Sequence, residues 1–73
     1  MTETPHYSML IEWSERDHVY IVSLPEWGGG AKTHGATYAE AVANGQEVLE
    51  LLIETQRAQG WPLPPPRVYA VAS

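Results

Sequence analysis

One stretch of this sequence carries helical punctuation at both ends, and it leaves the rest of the chain little choice. Thr37-Tyr38-Ala39-Glu40 fits the pattern in which a threonine oxygen and a glutamate carboxylate each satisfy an orphan amide at a helix start. Gly60 suits the left-handed residue that closes a helix. The spacing predicts a helix running from Thr37 to about Gln59. At about 100° per residue, Tyr38, Ala41, Val42, Gly45, Leu49, Leu52 and Ile53 share one side, with Glu40, Glu47, Glu50, Glu54 and Arg57 away from it. A lone helix has nothing of its own kind to bury that stripe against, so a second layer is required. Gly45 lies within the stripe, where it costs about 1 kcal/mol relative to alanine; the position implies close approach to the sheet. Leu51 falls on the charged side.

The segments before the helix supply that second layer. Tyr7, Met9, Ile11 and Trp13 recur at period two, which predicts a strand over Tyr7–Trp13. A polar turn follows at Ser14–Asp17, then a strand over His18–Leu24 rich in β-branched and aromatic residues. Pairing Trp13 with His18 matches Ile11 with Tyr20, Met9 with Val22 and Tyr7 with Leu24. That face is apolar and is the one for the helix. The opposite face then sets Leu10 beside Ile21, with Val19 nearby, and no second helix to cover them; such a patch marks an interface. Pro25 ends the strand, Gly28–Gly30 reads as a flexible loop, and Lys32–Ala36 as a short third strand. Gly35 there marks a bulge or a close backbone approach. After the helix comes a proline-rich connector, Trp61–Pro66, and Arg67–Ala72 is compatible with a fourth strand. The expected architecture is two-layer α+β, one helix on a mainly antiparallel sheet in the order β-β-β-α-β.

Seventy-three residues without a cysteine leave no disulfide or thiolate metal site to support a small core, so self-association is the natural supplement. Nine acidic residues against four basic ones give a formal charge of −5. The basic residues Arg16, Lys32, Arg57 and Arg67 form no run, which argues against direct nucleic-acid binding, since that affinity comes from cationic contacts to phosphates. An acidic surface suits a basic partner. With no basic-then-apolar leader and no apolar stretch near 18 residues, the expectation is a cytoplasmic chain without a membrane span.

Catalytic chemistry finds little footing. Gly28–Gly30 with Lys32-Thr33 lacks the spacing and the following helix of a phosphate-binding loop. His6, His18 and His34 lie in separate segments without short-range ligand pairing. Glu15, Asp17 and Glu26 sit in or beside turns, where acidic residues serve local roles, and Ser8, Ser14 and Ser23 have no nucleophile-elbow context. No catalytic residue, metal ligand or cofactor is expected.

Taken in order, the strand pair, Leu24-Pro25-Glu26-Trp27 with its glycine loop, Gly35-x-Thr37 into the helix, Glu40-Ala41, Asn44, Gly60 and Pro64 form a pattern. Over residues 6–72 it resembles the N-terminal domain of HicB-type antitoxins and the small stand-alone proteins related to them. The resemblance implies a truncated ribonuclease H-like fold without its catalytic acids. It also implies a partner, a small basic HicA-like messenger-RNA ribonuclease that the domain masks. The three glycines depart from the family's usual Pro-Gly, and the sequence given ends after this first domain, so the expectation is no autorepression through DNA. The residues expected to meet a toxin or a second copy of the chain are Leu10, Val19, Ile21, Trp27, Glu47, Leu51 and Glu54.

Overall fold

The computed structural model describes residues 6–69. β1 (Leu10–Ser14), β2 (Val19–Ser23) and β3 (Lys32–Gly35) form an antiparallel sheet in that spatial order, and α1 (Tyr38–Gln59) packs across one face. The α+β architecture with a single helix on an antiparallel sheet is therefore as the sequence implied.

The helix forms where its punctuation said. Thr37 is extended and its Oγ1 accepts from the Glu40 amide at 3.1 Å, while Glu40 Oε1 accepts from the Ala36 amide at 3.0 Å. Two N-terminal donors are thereby satisfied by side chains. At the other end Gly60 is left-handed (φ 72°), the Gly60 amide donates to Arg57 and the Trp61 amide to Gln56, a Schellman closure. The buried stripe is narrower than the periodicity suggests. Ala41, Gly45, Leu49 and Ile53 are buried and Leu52 is half-buried, but Tyr38 and Val42 are exposed.

The two tight glycines have measurable neighbours. A Cβ on Gly45 would lie 2.6 Å from Met9 Sδ and 3.1 Å from Val22 Cγ1, so the glycine lets the helix settle onto the sheet. One on Gly35 would lie 2.7 Å from Ala41 Cα. The bare backbone of β3 is what the first turn of α1 rests on.

The hairpin register differs from the one expected. Ser14 pairs with Val19, Trp13 with Tyr20, Ile11 with Val22 and Leu10 with Ser23. The loop still has four residues, but they are Glu15–His18. Ser14 Oγ accepts from the Asp17 amide at 3.2 Å, the His18 amide donates to the Ser14 carbonyl at 2.8 Å, and His18 takes a left-handed φ of 53°. The serine hydroxyl organises the turn, and moving the loop by one residue moves the pairing by two. Because side chains alternate with period two, every residue keeps its expected face. What changes is its neighbour.

Two further expectations are corrected. Tyr7–Met9 do not extend β1, and the proposed Met9–Val22 and Tyr7–Leu24 pairs are absent. The chain after Leu24 turns away into a 3-10 segment, Pro25–Gly30, with the Leu24 amide donating to Ala31 and the Trp27 amide to Leu24. The glycine run is thus an ordered turn, with Gly28 at φ 73°, ψ −158°, a conformation open essentially to glycine alone. Over Arg67–Tyr69 no fourth strand forms, and Ala70–Ala72 lie outside the described residues. The Arg67 amide and carbonyl are already engaged, by Glu26 Oε2 at 2.8 Å and Ser8 Oγ at 3.3 Å.

The core is small. Among the described residues Val22, Leu24, Ala41, Leu49 and Ile53 are the buried hydrophobics, and Tyr7, Met9, Trp27, Ala31, Val48, Leu52 and Leu63 pack around the Leu24, Leu49 and Ile53 cluster. A chain of this size buries little surface, so truncating one of the large side chains of this core is costly.

Candidate partner-binding surfaces

The outer face of α1 presents Glu47, Glu50 and Glu54 around Leu51, which is 64% exposed, over a shallow concavity floored by Val48. Glu50 and Glu54 are four residues apart, and Glu47 is three from Glu50. Like charges at these spacings destabilise a helix by a few tenths of a kcal/mol per pair. Each of these residues is a good helix former by itself, and together they set a negative patch around an exposed leucine. Three residues expected at an interface, Glu47, Leu51 and Glu54, are thus brought together on one open surface.

On the open face of the sheet the picture is different. Reading from β1 to β3, Leu10 aligns with Ser23 and Lys32, Glu12 with Ile21 and His34, and Ser14 with Val19. The expected apolar patch of Leu10, Val19 and Ile21 is therefore interrupted. The direct neighbours of Ile21 are a carboxylate and an imidazole, and Leu10, though 48% exposed, reaches it only on the diagonal. Val19 and Ile21 are half-buried and, with Asp17 and His34, line a second shallow concavity.

Trp27, also expected at an interface, is half-buried. Its indole nitrogen donates to Gln56 Oε1 and its ring meets Tyr7 edge-on at 4.7 Å. It belongs to a clamp that holds the segment after the helix. Gln56 Nε2 also donates to the Pro62 carbonyl at 2.9 Å, and the Tyr7 hydroxyl donates to the Pro64 carbonyl at 2.6 Å. Glu26 closes the clamp: its carboxylate accepts the Ser8 amide at 3.1 and 3.2 Å and the Arg67 amide at 2.8 Å. Desolvation raises the pKa of this carboxyl, but the amides of Arg67, Glu26 itself and Ser8, with the Ser8 hydroxyl, outweigh it and hold the group below its ordinary 4.5.

A fourth surface was not anticipated. At the hairpin end, on the helix side of the sheet, Trp13 meets His18 at 5.9 Å and Tyr20 at 5.1 Å, both edge-on, and Tyr20 stacks on Tyr38 at 4.3 Å. Trp13 Nε1 donates to Glu15 Oε2 at 2.7 Å. The cross-strand neighbour of Tyr20 on β3 is Gly35, so no side chain stands between Tyr20 and the helix start. The signal in the sequence was Trp13 and Tyr20 on neighbouring strands with Gly35 on the third, but it becomes legible only once the register pairs Trp13 with Tyr20 and Tyr20 with Gly35.

Among the described residues no group of three or more metal-ligating side chains converges, no buried side-chain polar atom lacks a hydrogen-bond partner, and no helix is long and apolar enough to cross a membrane. No protein-family model, no curated protein and no solved structure matches this chain.

Proposed function

We propose that this chain is a non-catalytic protein-binding module whose partner is a small basic protein, in the manner of an antitoxin that masks a HicA-like messenger-RNA ribonuclease in the cytoplasm. The observation that carries the reading is the outer face of α1, where Glu47, Glu50 and Glu54 surround an exposed Leu51. An RNA-cleaving toxin grips phosphates and must present cations. A carboxylate ring steers such a surface into place, and the leucine supplies the contact that excludes water. The sequence pattern from Leu24-Pro25-Glu26-Trp27 to Pro64 gives the partner its identity in this proposal.

Co-expression of this chain with a small basic HicA-like toxin is expected to restore growth that the toxin arrests. In the purified pair, Glu47→Lys with Glu54→Lys should slow association at least several-fold, with a smaller effect on dissociation, and Leu51→Ser should mainly speed dissociation. Unchanged association and rescue in the double variant would remove the helix face from the reading.

A second reading, a self-associating domain that binds another protein or a small ligand, draws support from Leu10, Val19 and Ile21 on the uncovered sheet face. The mosaic of Glu12 and His34 around Ile21 makes it the weaker of the two. Light scattering tests the sheet face, since an oligomer broken by Ile21→Lys is held through it, and co-purification of a small basic protein separates the two readings, because only the first requires that partner.

A further inference from the structure

We infer that the aromatic ladder at the hairpin end, His18–Trp13–Tyr20–Tyr38, is a binding site for an arginine side chain of a basic partner. The site rests on residues that the helix-face reading does not use, so the two can fail separately.

These rings are not completing the core. Trp13 is 48% and Tyr38 63% exposed, and both lie beyond the buried cluster of Leu24, Leu49 and Ile53. Four adjoining π systems are thus gathered by β1, the turn, β2 and the first residue of α1, and held in order by their mutual contacts. Such a platform is fixed before any ligand arrives, so little side-chain entropy is lost on binding.

The electrostatics select a cation. An aromatic face is electron-rich, and a cation within about 6 Å of its centre is attracted. The Glu15 carboxylate bonded to the Trp13 indole N–H polarises that ring further in the same sense. The turn itself, Glu15-Arg16-Asp17, carries two carboxylates against one guanidinium. That field repels a phosphodiester backbone, so the stacked bases of a nucleic acid are disfavoured although the rings alone would accept them. Between the two cationic side chains the flat rings favour arginine. A guanidinium is planar, weakly hydrated and stacks, whereas an ammonium is a strongly hydrated point charge.

The test is a two-dimensional ¹⁵N NMR titration of the full chain, following the Trp13 indole N–H and the Tyr38 and Ala39 amides. The probes are a hexa-arginine peptide, a hexa-lysine peptide of equal charge, and a short oligouridylate. The arginine peptide should shift these resonances and bind roughly two- to five-fold more tightly than the lysine peptide. Tyr38→Ala, which removes an exposed ring, should reduce that preference to about one, and Tyr38→Phe should keep it. Glu47→Lys with Glu54→Lys should weaken both peptides overall while leaving the preference read at Trp13 intact. Equal affinity for the two peptides, or shifts confined to residues 47–54, would overturn the site and leave the helix-face reading standing. Shifts produced by the oligouridylate, or by raising the protein concentration with no peptide present, would also overturn it, in favour of a nucleic acid or a second copy of the chain.

Discussion

The two ends of this domain are built on opposite principles. At the strap end, Tyr7, Ser8, Glu26 and Gln56 engage the segment after the helix through hydrogen bonds to Pro62, Pro64 and Arg67, and Trp27 donates to Gln56, over Leu24, Leu63 and the last buried turns of α1. At the hairpin end the contacts are ring on ring, Trp13, Tyr20 and Tyr38 are held mainly by one another, and two of them face outward. The comparison teaches where each kind of residue is spent. The segment that continues past α1 is tied back by directional polar groups. A hairpin that overhangs the helix start needs no tie, and its apolar rings are left for other contacts.

The strap end should therefore break most severely when its core is hollowed. Leu24 is 1% exposed, and Leu24→Ala is expected to lower stability by about 3 kcal/mol, read by urea denaturation. A loss below about 1 kcal/mol would show that the cluster beneath the strap is not the main support of the fold.

At the hairpin end the strongest lever is backbone contact. Gly35→Ala would drive a methyl group against the Ala41 and Glu40 backbone, which cannot yield as a side-chain tip does. Overpacking of this kind should lower stability by about 2 kcal/mol and separate Tyr38 from Tyr20, visible as a changed near-ultraviolet circular dichroism. An unchanged aromatic spectrum would mean that the ladder does not depend on the helix resting on Gly35.

The smallest effect sharpens the contrast most. Glu26→Ala removes the acceptor for two amides and should lower global stability by only about 1 kcal/mol, yet speed hydrogen exchange at Arg67 and Ser8 well above that at Tyr20. Acid should act the same way. The folded carboxyl lies below its ordinary 4.5, so its contribution is complete above that value and is lost as pH falls through the lower folded value. The strap is thus expected to loosen at acidic pH while the Trp13–Tyr20–Tyr38 contacts persist. Equal loosening at both ends would show that they unfold as one unit.

Much of this organisation is local and was legible in advance. The helix limits followed from Thr37, Glu40 and Gly60, because capping groups act within a turn of their own position. Gly45 announced its close contact by interrupting an apolar stripe, and the acidic outer face with Leu51 followed from the same periodicity. The assignment of strand residues to the covered or open face also survived a shifted register, since moving the pairing by two residues preserves alternation.

The pairing across the sheet was not legible in advance. Two four-residue loops, Ser14–Asp17 and Glu15–His18, both satisfy the hairpin pattern locally, and the fold takes the second, with the Ser14 hydroxyl on the Asp17 amide and His18 left-handed. That choice placed Glu12 rather than Leu10 opposite Ile21 and Tyr20 opposite Trp13, which divided one expected patch and created the aromatic ladder. The Glu26 clamp joins residues 18 and 41 positions away along the chain, a span over which sequence periodicity carries no information. By itself the sequence determined what the nearest few residues settle among themselves, namely the helix, its ends and the side each strand residue takes. Which side chains met across the sheet, and where the strap was tied, depended on groups far apart in the chain whose hydrogen bonds and packing exist only once the fold has brought them together.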